Sequence, residues 1–279
     1  MRPLFSLLLL LAWVAPVYGQ PASGHGESPP PAPGQALVDR ALANEYSAAQ
    51  DASHPMRYQL RKTSPRLTTT KEIYETKDGD VARLIAVNDQ TLSPADEQKE
   101  EARLNALAGD PGKQRRRKQD EDADAARAFK VLRALPTAFV YQYASEGEGP
   151  TGKVEKFTFR PNPAFSPPDL ETEALTAMAG EIWIDPVHQR VARLEGHVQH
   201  DVDFGWGILG RLNKGGWIVI EQADVGGGQW RTVRLQMVMS GRVVIKTRVF
   251  DTTEEQTKFA PLPAGLDYKK AIAMLRAEP

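Results

Sequence analysis

Apolar and polar positions alternate with period two over much of the chain, and the runs are bounded by turn residues. Met56, Tyr58 and Leu60 alternate with Arg57, Gln59 and Arg61; Thr68–Thr76 is rich in threonine and in aromatic or branched residues; Val81–Val87 alternates around Arg83. Each reads as a half-buried strand. Asp78-Gly79 between the second and third is a hairpin signal, because glycine accepts the positive φ of a tight turn. The pattern resumes with Phe139, Tyr141 and Tyr143, then Val154–Phe159, Glu181–Asp185 and Val191–Val198, where Leu194 and Gly196 alternate with Arg193, Glu195 and His197. Trp217–Glu221, Trp230–Ser240 and Val243–Phe250 continue it, with Gly226-Gly227-Gly228 and Ser240-Gly241 as turns. The Trp230 run carries Val233, Leu235, Met237 and Met239 on one face and Thr232, Arg234 and Gln236 on the other. Such alternation with short connections predicts an antiparallel sheet with one dry and one wet face, and the connections are too short for parallel crossovers.

Helical spacing interrupts the strands four times. Gln35–Ala49 places Leu37, Leu42, Ala43 and Tyr46 at mixed helical intervals. Ser93-Pro94 followed by Asp96 and Glu97 is a helix start: a capping hydroxyl, proline in the first turn and acid at the positive end of the dipole. From Pro94 to Arg133 there are ten Lys+Arg and nine Asp+Glu, broken by Gly109-Asp110-Pro111-Gly112. This predicts a charged helical hairpin, about 93–135, laid outside the main core with only its ends well buried. Arg115-Arg116-Arg117-Lys118 precedes Asp120-Glu121-Asp122 at helical pairing distance, so that face pairs with itself and is solvated. Leu170–Ala179 and Tyr268–Arg276 are the remaining helices. The fold class is mainly β with added helices (α+β): about nine to eleven strands forming a curled, incomplete antiparallel β-barrel, with helices covering its open side.

The amino terminus changes the address rather than the fold. Arg2, the eleven-residue apolar run Leu4–Val14 and the small residues Val17 and Gly19 follow the plan of a secretory signal peptide over residues 1–19. The run is about half the length a membrane span needs. Residues 20–36, with five prolines among Gly, Ser and Ala, read as a linker, leaving 37–279 as a single domain. The expected location is therefore periplasmic or secreted, and the chain is not expected to be an integral membrane protein. With 35 Lys+Arg against 36 Asp+Glu the formal charge is −1, which offers no field of one sign to a nucleic-acid backbone. Cys is 0, which excludes thiol chemistry, cysteine-ligated zinc and a lipid anchor on an N-terminal cysteine.

Catalytic motifs are absent from the sequence: there is no Gly-x-Ser-x-Gly elbow, no His-Glu-x-x-His pair and no phosphate loop. His197-Val-Gln-His200-Asp201-Val-Asp203 is the one dense group of metal-capable side chains, but residues three apart on a strand point to opposite faces, so a polar strand end is expected. No catalytic residue, metal or cofactor is expected; a hydrolase or metal protein centred on His197–Asp203 is the less favoured reading. Phe204–Gly216 sets Phe204, Trp206, Ile208, Leu209 and Leu212 among five glycines, which reads equally as a tight apolar connection or as a movable lid. The Met237 and Met239 stripe suits either ordinary core or a cavity that accepts varied shapes.

Taken together, the leading helix, the meander, the apolar loop near the middle, and Gly180-Glu-Ile-Trp-Ile-Asp-Pro186 followed by Arg190-Val-Ala-Arg-Leu-Glu195 resemble the periplasmic outer-membrane lipoprotein-sorting carriers of the LolA/LolB type. The resemblance covers about residues 36–260 in outline. It implies an incomplete barrel used as a hydrophobic cup, and a soluble carrier whose partner is a lipid or a lipoprotein acyl chain. The hairpin at 93–135 departs from the small carriers, and the family's functional arginine matches no residue here. The expected cup walls are Ile182, Ile184, Trp217, Leu235, Met237 and Met239, with Phe204, Trp206 and Leu209 as lid. The alternative is a non-catalytic envelope assembly module on the same barrel, with the hairpin docking a protein partner.

Overall fold

A computed structural model describes residues 34–204, 210–243 and 246–277. The expected signal peptide and most of the linker lie outside the described residues, as do Trp206, Ile208 and Leu209 of the expected lid.

Helix α1 (Gln35–Gln50) is followed by β1 (Met56–Thr63), β2 (Thr68–Tyr74), β3 (Val81–Val87) and the short β4 (Gln90–Thr91). Two helices intervene, α2 (Pro94–Gly109) and α3 (Pro111–Ala138). Then come β5 (Phe139–Gly149), β6 (Gly152–Pro161), α4 (Leu170–Glu173) with a 3₁₀ turn over Ala174–Ala177, β7 (Met178–Asp185) and β8 (Arg190–Val198). The chain continues through β9 (Val202–Phe204), β10 (Gly210–Leu212), β11 (Trp217–Asp224), β12 (Trp230–Val243), β13 (Lys246–Pro261) and α5 (Tyr268–Ala277).

The strands form one open sheet in the order β4-β3-β2-β1-β13-β12-β11-β8-β7-β6-β5, with β9 and β10 attached beside the far end of β12. The fold class expected from the sequence is the one observed: a curled antiparallel sheet that does not close, with helices laid on it. The strand β13 joins the two meanders, pairing with β12 along Arg234↔Glu255 to Val243↔Lys246 and with β1 along Met56↔Pro261 to Thr63↔Thr253. Its length is a correction to the sequence reading, which ended this strand at Phe250. The residues beyond, Asp251–Thr257, are polar, and the periodicity carries no apolar face to announce a strand. They are held because both neighbours supply ladder partners, and Glu254 and Gln256 are buried there.

The helix start at Ser93 is as expected, its hydroxyl accepting from the Asp96 amide. Asp110 caps α3 by accepting from the Lys113 amide at 2.8 Å, with Pro111 in the first turn. Lys118 pairs with Asp122 four residues on, but the expected self-paired face is only partly so: Glu121 accepts the Asp80 amide at 3.1 Å and Arg117 donates to the Asp80 carbonyl at 3.2 Å. The hairpin is buried not only from Ala125 onward but also around its turn, at Glu100, Leu104, Leu107 and Gln114, because that end packs on the β2–β3 connection and α5. Leu104 and Leu107 pack with α5, Tyr74 and Val81 in one core. Ala125, Ala128, Val131, Ala134, Leu135 and Ala138 form the buried stripe of α3, most of it in the core shared with α1, β5, β6, β7 and β8. The alanines carry little hydrophobic signal, yet they let the helix lie close to the sheet.

Candidate functional site

Between α1, α3 and the sheet lies a cavity of about 130 Å³. Its floor is Phe159 of β6, Val191 and Leu194 of β8, Ile218 and Ile220 of β11, and Met239 of β12. Its roof is Leu42 of α1 with Ala128, Val131, Leu132 and Leu135 of α3. Ala174, Leu175 and Met178 close one side. Two cores meet here, since Met178 and Leu194 pack against both.

The helix α3 ends over the floor, two residues after Pro136, whose missing amide leaves the Leu132 carbonyl without its helical donor. The carbonyls of the last turn find other donors: Tyr141 Oη donates to the Leu135 carbonyl at 2.9 Å, Asn162 Nδ2 to that of Thr137 at 2.9 Å, and the Asn162 amide to that of Ala138 at 2.9 Å. Burial keeps the Tyr141 phenol protonated, with its pKa far above the usual range. Lys130 bridges from α3 to Asp169 and Glu171 at the α4 end.

The polar corner of the cavity is Glu45 of α1 with Gln222 of β11. Glu45 is 3% exposed and accepts four hydrogen bonds: from Arg190 Nε at 2.7 Å and Nη2 at 2.9 Å, from the Val191 amide at 3.1 Å and from Gln222 Nε2 at 3.1 Å. These donors meet the hydrogen-bonding demand of a carboxylate placed next to an apolar space. The interaction ties α1 to β8 and β11. Glu45 is not among the expected site residues, although its spacing carries a signal: it occupies the next position of the buried stripe Val38, Ala41, Leu42.

Among the residues expected as walls, Met239 lines the cavity. Leu235 and Met237 are buried with it in the core that includes Ile218 and Ile220, while Ile182 and Ile184 are fully buried in the neighbouring core under α1 and α3. Trp217 stands one residue from Ile218 and so points to the other face of the sheet, where it is half-buried opposite His197. Phe204 is buried against the Met237 and Met239 core.

The His197–Asp203 group is distributed along a polar strand end. His197 Nε2 contacts Glu195 at 3.0 Å, and Arg211 engages Asp203 at 2.6 and 2.7 Å and Asp201 at 3.2 Å. His200 is exposed. Among the described residues no three His, Asp or Glu side chains are grouped so that they could hold a metal ion. Among the same residues no helix is long and apolar enough to cross a membrane.

No family model and no curated protein matches the chain. Solved structures similar to it include a domain from Vibrio parahaemolyticus described as an outer membrane lipoprotein-sorting protein, at 10% identity and a TM-score of 0.34, over 84% of this chain and 98% of that one. Another is a DUF1329 family protein from Desulfovibrio piger, at 10% identity and a TM-score of 0.30, over 82% of this chain and 93% of that one. At these scores the likeness is one of outline, and it carries no inference about what this chain binds.

Proposed function

We propose that the protein is a non-enzymatic carrier that shelters an acyl chain or other lipid on the concave face of its sheet, under α1 and α3. The observation that supports this is the cavity itself, a mostly apolar space bounded by helices laid on a sheet. Apolar cavities of this size stay dry and accept small apolar guests. Each methylene transferred from water gains about 0.8 kcal/mol. A space of about 130 Å³ is smaller than the ~300–1,000 Å³ of sites that enclose a whole ligand, so a full chain enters by displacing the helices. Met239, Leu235 and Met237 supply flexible or deep wall positions, and Phe204 backs them from the end of β9. In this reading the chain is exported by its signal peptide to the periplasm, where lipoprotein sorting is one pathway that needs such a carrier.

Native mass spectrometry of protein exported and purified without detergent, with an organic extract alongside, tests the reading. A reproducible added mass matching a fatty acid or phospholipid supports it. A clean apo mass, together with no uptake of an apolar fluorescent probe, overturns it and favours the assembly-module alternative.

A further inference from the structure

The concave face changes character beyond Gln222. Thr232 of β12 stands opposite Gln222, Glu254 of β13 opposite Leu235, and Gln256 opposite Leu60 of β1. Thr232, Glu254 and Gln256 are each at most 3% exposed. Tyr58 of β1 and Glu75, just past β2, are buried beside them, and Glu75 Oε2 accepts the Met56 amide at 2.9 Å. The Tyr58 hydroxyl gathers the group: burial first, and then the carboxylates of Asp80, Glu75, Glu254 and Glu121, hold its proton on.

Several polar atoms here have no hydrogen-bond partner among the described residues: Glu75 Oε1, Glu254 Oε2, Gln256 Oε1 and Thr232 Oγ1. The Gln256 amide oxygen can only accept and carboxylate oxygens do so when ionised, although burial pushes the Glu75 carboxyl above the usual range. Among the described residues, Lys62 and Arg231 lie near and are engaged by other partners. Lys62 holds the other oxygen of Glu254 at 2.8 Å, with its stem half in solvent. Arg231 donates to the His54 and Trp230 carbonyls; its Nε is also unpartnered, but the guanidinium is fixed by those bonds. Unpaired buried acceptors are expensive, and a group rich in N–H donors is what relieves them.

We propose that this polar end of the concave face is a headgroup subsite for a cationic amphiphile, an alkylammonium whose N–H donors meet Glu254, Glu75 and Gln256 while its chain runs toward the cavity under α3. The subsite rests on the reading of that cavity as a chain-binding site. It adds a selection rule: of amphiphiles with the same chain, the ammonium is preferred over the alcohol and the carboxylate is disfavoured.

Calorimetric titration of the intact protein with dodecylamine, dodecanol and dodecanoate, each below its critical micelle concentration, tests the rule. Charge-assisted hydrogen bonds to two carboxylates predict binding of the amine at least about tenfold tighter than the alcohol, with the carboxylate weakest. Glu254→Gln keeps the shape and removes the charge; it should bring the amine close to the alcohol while leaving alcohol binding unchanged. Equal affinities for amine and alcohol overturn the subsite and leave the chain-binding reading standing. If none of the three binds, both fall. Alcohol binding and the thermal unfolding midpoint together report whether the variant is folded, and if it is not, Gln256→Leu removes one acceptor and makes the same comparison.

Discussion

Filling the cavity should exchange binding for stability. Ala128 sits in the roof on α3, 2% exposed, and its Cβ borders the space. At ~24 cal/mol per Å³, a cavity of about 130 Å³ costs the fold about 3 kcal/mol, which bounds what any filling substitution can recover. Ala128→Leu introduces three carbon groups, worth up to about 2.4 kcal/mol at ~0.8 each, against ~1–3 kcal/mol of packing strain. The net expectation is a folded variant of equal or slightly greater stability. A bound chain loses the same three carbon groups of contact, about 2.4 kcal/mol, which is about a 50-fold loss of affinity. Urea unfolding and titration with N-phenylnaphthylamine, an uncharged fluorescent probe, measure the two quantities on one sample. A variant that unfolds earlier and yet binds the probe as before would refute the reasoning, because the probe would then sit elsewhere and the roof would already be tightly packed.

Three further outcomes follow from the same geometry. Glu45→Leu strands a buried Arg190 and should cost about 3–5 kcal/mol, whereas the double variant with Arg190→Met should recover much of it, which urea midpoints in a double-mutant cycle will show. Asp185, at the β7–β8 turn, is pushed up by burial but pulled down further by the Val187 and His188 amides and the His188 ring, so its carboxyl lies below the usual range. Its stabilising contribution is therefore complete above the unfolded pKa of about 3.9 and lost as pH falls through the folded value, and Asp185→Asn should unfold with a shallower acid dependence between about pH 5 and 2. Gly180→Ala would place a Cβ 1.9 Å from the Glu195 carbonyl oxygen across the β7–β8 pair, so a large drop in thermal midpoint is expected where Ala179→Ser nearby has little effect.

The strands with one apolar and one polar face were legible, and so was the helix start at Ser93, because period and capping are local signals. The end of β13 was not, since Asp251–Thr257 owe their conformation to two neighbouring strands rather than to their own pattern. The alanines of the buried α3 stripe were also hidden: Ala125, Ala128 and Ala134 act through closeness, which no hydrophobicity count registers. On β11, alternation was readable but its direction was not, so Trp217 was expected where Ile218 and Ile220 stand. Glu254 became visible only once its burial and partners were known, because an acid on a strand is ordinarily solvated.

In the proposed carrier an apolar chain lies between α3 and β8, β11 and β12. Methyl-labelled protein, observed by NMR as an alkyl chain bearing a nitroxide at its far end is added, locates that chain. The methyl signals of Met239, Leu194, Ile218 and Leu135 should broaden first, while exposed Val187 and Val249 stay sharp. Broadening confined to Val187, Val249 or other surface methyls, with the Met239 and Ile218 signals unchanged, would contradict that placement.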